Sequence, residues 1–271
     1  MIYDPSKFST QKELIDFLVE NKHTIKAQKK AQVKHSDAIS ALFYNDKTNA
    51  VKQNEAFEPE GDEFKIQAVI NTTNFMDSHD DVHVRGIWDK TLKQNNSLMH
   101  LQEHEMKFDK IIADSSDLDA YVKEISWEKL GFEYSGFTQA LIFDSTIKRS
   151  RNQFMFDQYS KGFVKNHSVG MQYVQLELAV NDDSFEEEYK VWKNYFDKIA
   201  NKELAEYKGY FWVVREAKLI EGSAVPIGSN IATPTLDNNA KSQPPQGTDP
   251  QPSQDTELIK ELESINELIK S

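Results

Sequence analysis

The 271-residue chain contains no cysteine. That excludes disulfide scaffolds, zinc–thiolate sites, iron–sulfur clusters and cysteine nucleophiles. No apolar run approaches the roughly 20 residues that span a bilayer. Met1–Thr10 lacks the basic and then apolar pattern of a secretory signal. A soluble protein of a cytoplasm is therefore expected. Positive charge is also short: 32 Lys and Arg stand against 44 Asp and Glu, a formal net charge of -12. Phosphate neutralisation needs clustered Lys and Arg, so a dedicated nucleic-acid groove is not expected, although a local basic patch stays open. P-loop, dinucleotide glycine fingerprint and internal repeat are all absent. With only 38% apolar residues, part of the chain is expected to be solvated tail rather than core.

Organisation follows from composition shifts. Residues 1–60 read as a helical extension: Thr10 and Glu13 fit a capping box, and Leu14, Phe17 and Leu18 share a face. The following lysines (Lys26, Lys29, Lys30, Lys34) read as a solvated helical face, with a nucleic-acid or scaffold contact as the alternative. An apolar cluster at Ala38, Ile39, Leu42 and Phe43 comes next. Residues 61–235 form the main domain. Alternating apolar positions predict strands over 64–70, 118–125, 132–143, 168–180 and 210–220, with helices over 145–159 and 184–205. The expected class is α+β, a barrel-like or strongly bent strand-rich core with flanking helices. Residues 236–256 hold four of the eight prolines and read as a flexible linker. Residues 257–271 read as an amphipathic helix, with Leu258, Leu262, Ile265 and Ile269 on one seam for docking to a partner.

Without cysteine, the available nucleophiles are Ser, Thr, Lys and carboxylates, with His as base. His23 and His35 read as surface residues. The pairs His79/His83 and His100/His104 have four-residue spacing, and Asp77, Asp80 and Asp81 crowd the first pair. On a helix such spacing suits a metal, but the turn-rich DSHDDVH segment argues against a helix there. The other constellation is NHSVGM, where Ser168 opens a strand and Gly170 permits close approach, together with LQEHE around His104 and LIEGSAVP around Glu221. A hydroxyl nucleophile needs a base, and the base needs an orienting acceptor. In an extended segment His167 faces away from Ser168. His100 competes with His104 for the role of base.

These blocks carry a resemblance. DSHDDVHVRGIW, LMHLQEHE followed by DKIIAD, Gly131-Phe132, a segment with Arg149 and Arg151, KGFVKNHSVGM and AKLIEGSAVPIGSNIATP arrive in one order. In that order they resemble the prohead (procapsid) maturation proteases of tailed phages, serine proteases related in fold to herpesvirus assemblin. The resemblance spans about residues 64–234, and its last two blocks are the most specific. Asp80 stands where the family has glycine, Ile87-Trp88 where it has Ala-Phe, and Gly228-Ser229 where it has Pro-Ala. The helical insert at 184–205 is longer than the family's, and so either alters access to the site or extends the core.

The resemblance implies a serine endopeptidase with Ser168 as nucleophile, His104 as base and Glu221 as third member, that place being open to a water or another His. It implies no cofactor and no metal. Backbone N–H groups are expected at the oxyanion, and Ser223 supports the fold. The implied substrates and partners are the major capsid protein, a scaffold or delta-like segment and the chain itself. The place is inside assembling proheads in the host cytoplasm, with a homo-oligomer open and no membrane partner. Two rival readings remain: a non-catalytic assembly or scaffolding protein that keeps the fold, and a metal-dependent hydrolase.

Overall fold

The structure, a computed structural model, describes residues 3–34, 56, 58–94 and 97–236. His35, the 38–43 cluster, the linker beyond Leu236 and the C-terminal helix fall outside the described residues. The architecture is α+β, built on two curled sheets.

One sheet is organised on a long hairpin of β8 (Asn166–Val180) and β9 (Tyr210–Val225). The short strand β1 (Val33–Lys34) pairs with the free edge of β8. The other edge of β9 is shared by two parallel partners, β3 (Asp81–His83) near its start and β4 (His100–Gln102) near its end. β5 (Ile111–Ala113) then pairs with β4. The second sheet has the order β10–β2–β7–β6, from Thr235–Leu236, Glu63–Thr72, Phe137–Lys148 and Leu118–Ser126. The strands predicted around 64, 118, 168 and 210 are all present, because alternating Ile, Val, Phe and Tyr suits a half-buried pleat. Bulges break the β8–β9 register at Gly170/Met171 and twice between Tyr173 and Leu176. Such bulges bend a sheet.

The sheets meet through Ile66, Ala68, Ile70, Leu141 and Phe143 on one side and Val169, Tyr173, Leu219 and Ala224 on the other. Contact is close at Gly222, where an added Cβ would lie 2.6 Å from Phe143 and 3.0 Å from Ile70. The outer face of the second sheet has its own core, with Phe75, Ile125, Trp127, Phe132 and Ile142. Burying a Phe or Ile in such a layer contributes about 1.5–3 kcal/mol each.

Helices α1 (Gln11–Glu20) and α2 (Lys22–Ala31) follow the predicted N-terminal pattern. Thr10 Oγ1 accepts from Glu13 N at 3.1 Å, while the Glu13 carboxylate accepts from Ser9 N at 2.9 Å, one residue earlier than an ideal capping box. Leu14, Ile15, Leu18 and Ile25 enter the main core. The described part of residues 1–60 thus shares that core rather than standing apart. The solvated-face reading is corrected at Lys29, which is 3% exposed and ion-paired with Asp81 of β3. His23 is exposed, as expected.

Two helix expectations also change. β7 continues to Lys148, and the helix, α4, covers only Gln153–Ser160; α3 is Asp89–Gln94. β-Branched Thr146 and Ile147 pair with Lys65 and Phe64 of β2, and Ile147 is buried. The true helix start is marked by Asn152, whose Oδ1 accepts from Met155 N at 3.0 Å. The insert is two helices, α5 (Glu186–Tyr195) and α6 (Lys202–Lys208), with a 3-10 turn at Phe196–Lys198. Between them the Asn201 side chain binds the Met76 backbone on both sides, at 2.8 and 2.9 Å. Such side-chain capture of backbone competes with helix continuation. The insert packs Trp192, Ile199, Leu204 and Ala205 on Ala179, Phe211 and Val213. That is the far end of the β8–β9 hairpin from Ser168, so the insert extends the core. No helix among the described residues is long and apolar enough to cross a membrane.

Candidate active site

The two faces of the β8–β9 hairpin have different fates near Ser168. Ser168 lies opposite Ser223, and Gly170 opposite Glu221. Residues directly opposite in an antiparallel pair share a face, with Cβ atoms about 4.5–5.5 Å apart. Ser168, Gly170, Glu221 and Ser223 therefore occupy one face. Val169, Gly222 and Ala224 occupy the other, against the second sheet. His167 falls on that inner side, away from Ser168, as the period of two requires.

The strand β4 brings His104 to the outer face. After Gln102, Glu103 and His104 both adopt left-handed backbone, φ 54° and 60°. Two successive non-glycine residues there store on the order of 1–3 kcal/mol each, strain of a kind that concentrates at functional sites. The turn is held by its contacts: Glu103 N donates to Ala224 O at 2.9 Å and His104 N to Ser223 Oγ at 3.1 Å. The imidazole thereby lies against the β9 carboxylate, His104 Nδ1 to Glu221 Oε1 at 2.6 Å. The other carboxylate oxygen, Oε2, accepts from Ser223 Oγ at 2.6 Å. A carboxylate can only accept, so Nδ1 carries the proton in this pair and Nε2 carries the ring lone pair. Glu221 is 1% exposed.

Gly170 makes this possible. A Cβ at residue 170 would sit 2.7 Å from Glu221 Cδ and 3.0 Å from its Cγ. The missing side chain is the space that the glutamate occupies. The structure thus joins His104 and Glu221 directly and places Ser168 beside them by register. Ser223 supports both partners, a larger part than the fold support expected of it. Sequence reading missed the pairing of Gly170 with Glu221, although a glycine two residues after a candidate nucleophile on the same strand face was its signal.

His100 is not a second base for Ser168. It points inward with His167 and forms a buried chain: Ser145 Oγ to His100 Nδ1 at 2.9 Å, His100 Nε2 to Tyr159 Oη at 3.1 Å, Tyr159 Oη to His167 Nε2 at 3.0 Å, and His167 Nδ1 to Thr233 O at 3.1 Å. The carbonyl end sets the direction of every proton. His167 Nδ1 donates to Thr233, Tyr159 donates to His167, His100 Nε2–H donates to Tyr159, and Ser145 donates to His100. Burial pushes the His167 pKa down to about 4. Burial first, and the neighbouring His167 second, drive His100 well below the usual histidine range. Burial raises the Tyr159 hydroxyl. The chain ties β4, which leads into His104, to β8, which carries Ser168, behind β9. Thr233 Oγ1 also donates to His167 O at 2.7 Å, fixing the backbone just before Ser168.

The DSHDDVH segment is a buried ion network instead of a metal-ligand helix. Asp81 is paired with Lys29 and Lys34 and accepts from Tyr173 Oη at 2.7 Å. Burial alone would raise its carboxyl; the two ammonium groups reverse this and hold it below the ordinary value. Asp80 binds Lys208 and Tyr210, and Asp77 accepts from the amides of His79 and Asp81. Burial and the Asp81 charge raise Asp77. His83 lies between Asn71 and Tyr173, its pKa lowered by burial. Among the described residues, no group of three or more His, Asp or Glu could hold a metal ion. The network's structural product is the docking of α2 and β1 on the sheet.

No known protein family matches the chain, and neither the curated proteins nor the solved structures contain a significant match.

Proposed function

We propose that the protein is a serine endopeptidase with an assemblin-like core, of the kind that matures tailed-phage proheads. One observation carries the reading: His104, held by its Nδ1 on a buried Glu221 carboxylate, lies on the sheet face that also presents Ser168. In the proposed cycle His104 Nε2 takes the Ser168 hydroxyl proton as Oγ attacks the scissile carbonyl. It returns that proton to the leaving amine, and water then releases the acyl group by the same path. Glu221 keeps the tautomer and stabilises the imidazolium, and Ser223 holds Glu221 in turn. Asp80 supports the resemblance: it stands where the family has glycine and has φ of 62°. That is left-handed backbone, which Asp tolerates better than most residues. The proposed substrates are the major capsid protein, a scaffold or delta-like segment and the chain itself, within assembling proheads.

The test is incubation of wild-type and Ser168→Ala protein with capsid protein, with cleavage read by mass spectrometry of the termini. Wild-type protein should cleave and should be labelled by a serine-directed phosphonate at Ser168, while Ser168→Ala does neither. Equal cleavage by both proteins would refute the nucleophile. Absence of labelling and cleavage in both would leave a non-catalytic assembly protein.

A further inference from the structure

We infer that β6 is an association edge: two copies of the chain pair their β6 strands antiparallel, about a two-fold axis at Tyr121. The two four-stranded sheets then join into one of eight. The inference is independent of the endopeptidase reading.

β6 differs from the other strands that end a sheet. Of the four terminal strands, β1 and β10 have two residues and β5 three, whereas β6 has nine. Very short strands, bulges and prolines are the usual means of blunting an edge. β6 has none of them. Leu118–Ser126 contains neither Pro nor Gly, and its register with β7 runs unbroken from Leu118↔Ser145 to Ser126↔Phe137. Among the described residues β7 is its only strand partner. The backbone groups on its other side are thus presented in a row that a further strand can pair with. Side-chain burial also stops short there. Ala120 and Val122 pack on the main core yet are only partly buried, while Phe143 and Leu141, opposite them on β7, are fully buried.

Charge is the remaining protection an edge can carry, and on β6 it is arranged to attract a copy of itself. Asp119 and Lys123 are exposed and share the outer face with Tyr121. Four residues of strand span about 13 Å, too far for the two to pair with each other. A two-fold axis through Tyr121, with each face of the sheet continuous across it, sets Asp119 opposite the partner's Lys123 and Lys123 opposite the partner's Asp119. Opposite charges directly across an antiparallel pair stabilise it, and like charges destabilise it. On the inner side Ala120 meets the partner's Val122, which carries the core layer across the axis. Glu124, opposite the partner's Leu118, is held by Arg85 of its own chain. Such self-complementarity is what an isologous contact requires, and it favours a second copy over an unrelated strand.

Sedimentation of the full chain tests this. Wild-type protein should dimerise at about micromolar concentration, and the amides of residues 118–126 should gain protection from hydrogen exchange as it does. Asp119→Lys and Lys123→Asp each place like charges opposite one another twice per dimer, and each should weaken it at least roughly tenfold. The two substitutions combined restore opposite pairs and should recover the wild-type dissociation constant to within about threefold. Both positions are exposed, so an unchanged melting temperature serves as the folding control. A wild-type monomer overturns the inference, whether its β6 amides exchange freely or are protected by another segment of the same chain. So does a dimer that the single substitutions leave intact, or a double variant no tighter than the single ones.

Discussion

The substitution Gly170→Ala isolates the role of Glu221. No positive φ is involved at Gly170, so alanine meets no backbone strain there, and its cost arises from one collision. The new methyl would lie 2.7 Å from Glu221 Cδ and 3.0 Å from Cγ. Glu221 Oε1 would lie nearer still, and ordinary contacts are about 3.5–4.0 Å, so the carboxylate must retreat by well over 1 Å. The His104–Glu221 bond of 2.6 Å and the Ser223–Glu221 bond of 2.6 Å cannot both survive that shift. Overpacking costs about 1–3 kcal/mol, and loss of a buried, paired carboxylate's partner about 3–5 kcal/mol. A destabilisation of several kcal/mol is expected, read by urea unfolding. Under the endopeptidase proposal catalysis should fall further: losing the residue that orients the base costs on the order of 10⁴ in kcat in serine enzymes. The phosphonate labelling rate of Ser168 should drop by a similar factor. The decisive measurement is a double-mutant cycle. In a Glu221→Ala background the methyl has no carboxylate to strike, so Gly170→Ala should there cost under about 1 kcal/mol. The coupling should then be several kcal/mol, at or above the upper end of the roughly 0.5–3 kcal/mol usual for contacting residues. Equal costs in the two backgrounds would show that the glycine does not exist to admit the glutamate.

Three further outcomes are expected. Tyr159→Phe leaves the His100 and His167 ring nitrogens without their shared hydroxyl, for roughly 1–3 kcal/mol per orphaned group; a loss under about 0.5 kcal/mol by urea unfolding would contradict the buried chain. Stability should fall as pH drops from about 6.5 to about 4, because His167 resists protonation when folded but accepts a proton when unfolded. Its contribution is fully present above 6.5 and is lost toward 4, about 3 kcal/mol in all; a His167→Gln variant with the same slope as wild type would refute this assignment. Lys29→Ala removes the closer and more buried of Asp81's two ammonium partners, leaving Lys34, and should cost about 3 kcal/mol, whereas Lys26→Ala at a partly exposed position should cost under about 0.5.

The amino-acid sequence by itself determined the α+β class, the five longest strands of the two sheets and the N-terminal helical pattern, because these depend on local periodicity. It also singled out His104, Ser168 and Glu221, since the blocks around them are contiguous and ordered. It excluded thiol chemistry outright. The tertiary structure alone decided partnerships between residues distant in the chain. Lys29 reads as a solvated lysine until Asp81 is brought beneath it. Thr146 and Ile147 read as helix until β2 supplies a pairing edge. His100 and His104 share a spacing, yet a left-handed turn at Glu103 and His104 sends one ring inward to Tyr159 and the other outward to Glu221. Gly170 is a small residue in the sequence and a space for a carboxylate in the fold. Periodicity reports which face a side chain takes, but only the packed sheets determine what meets it there.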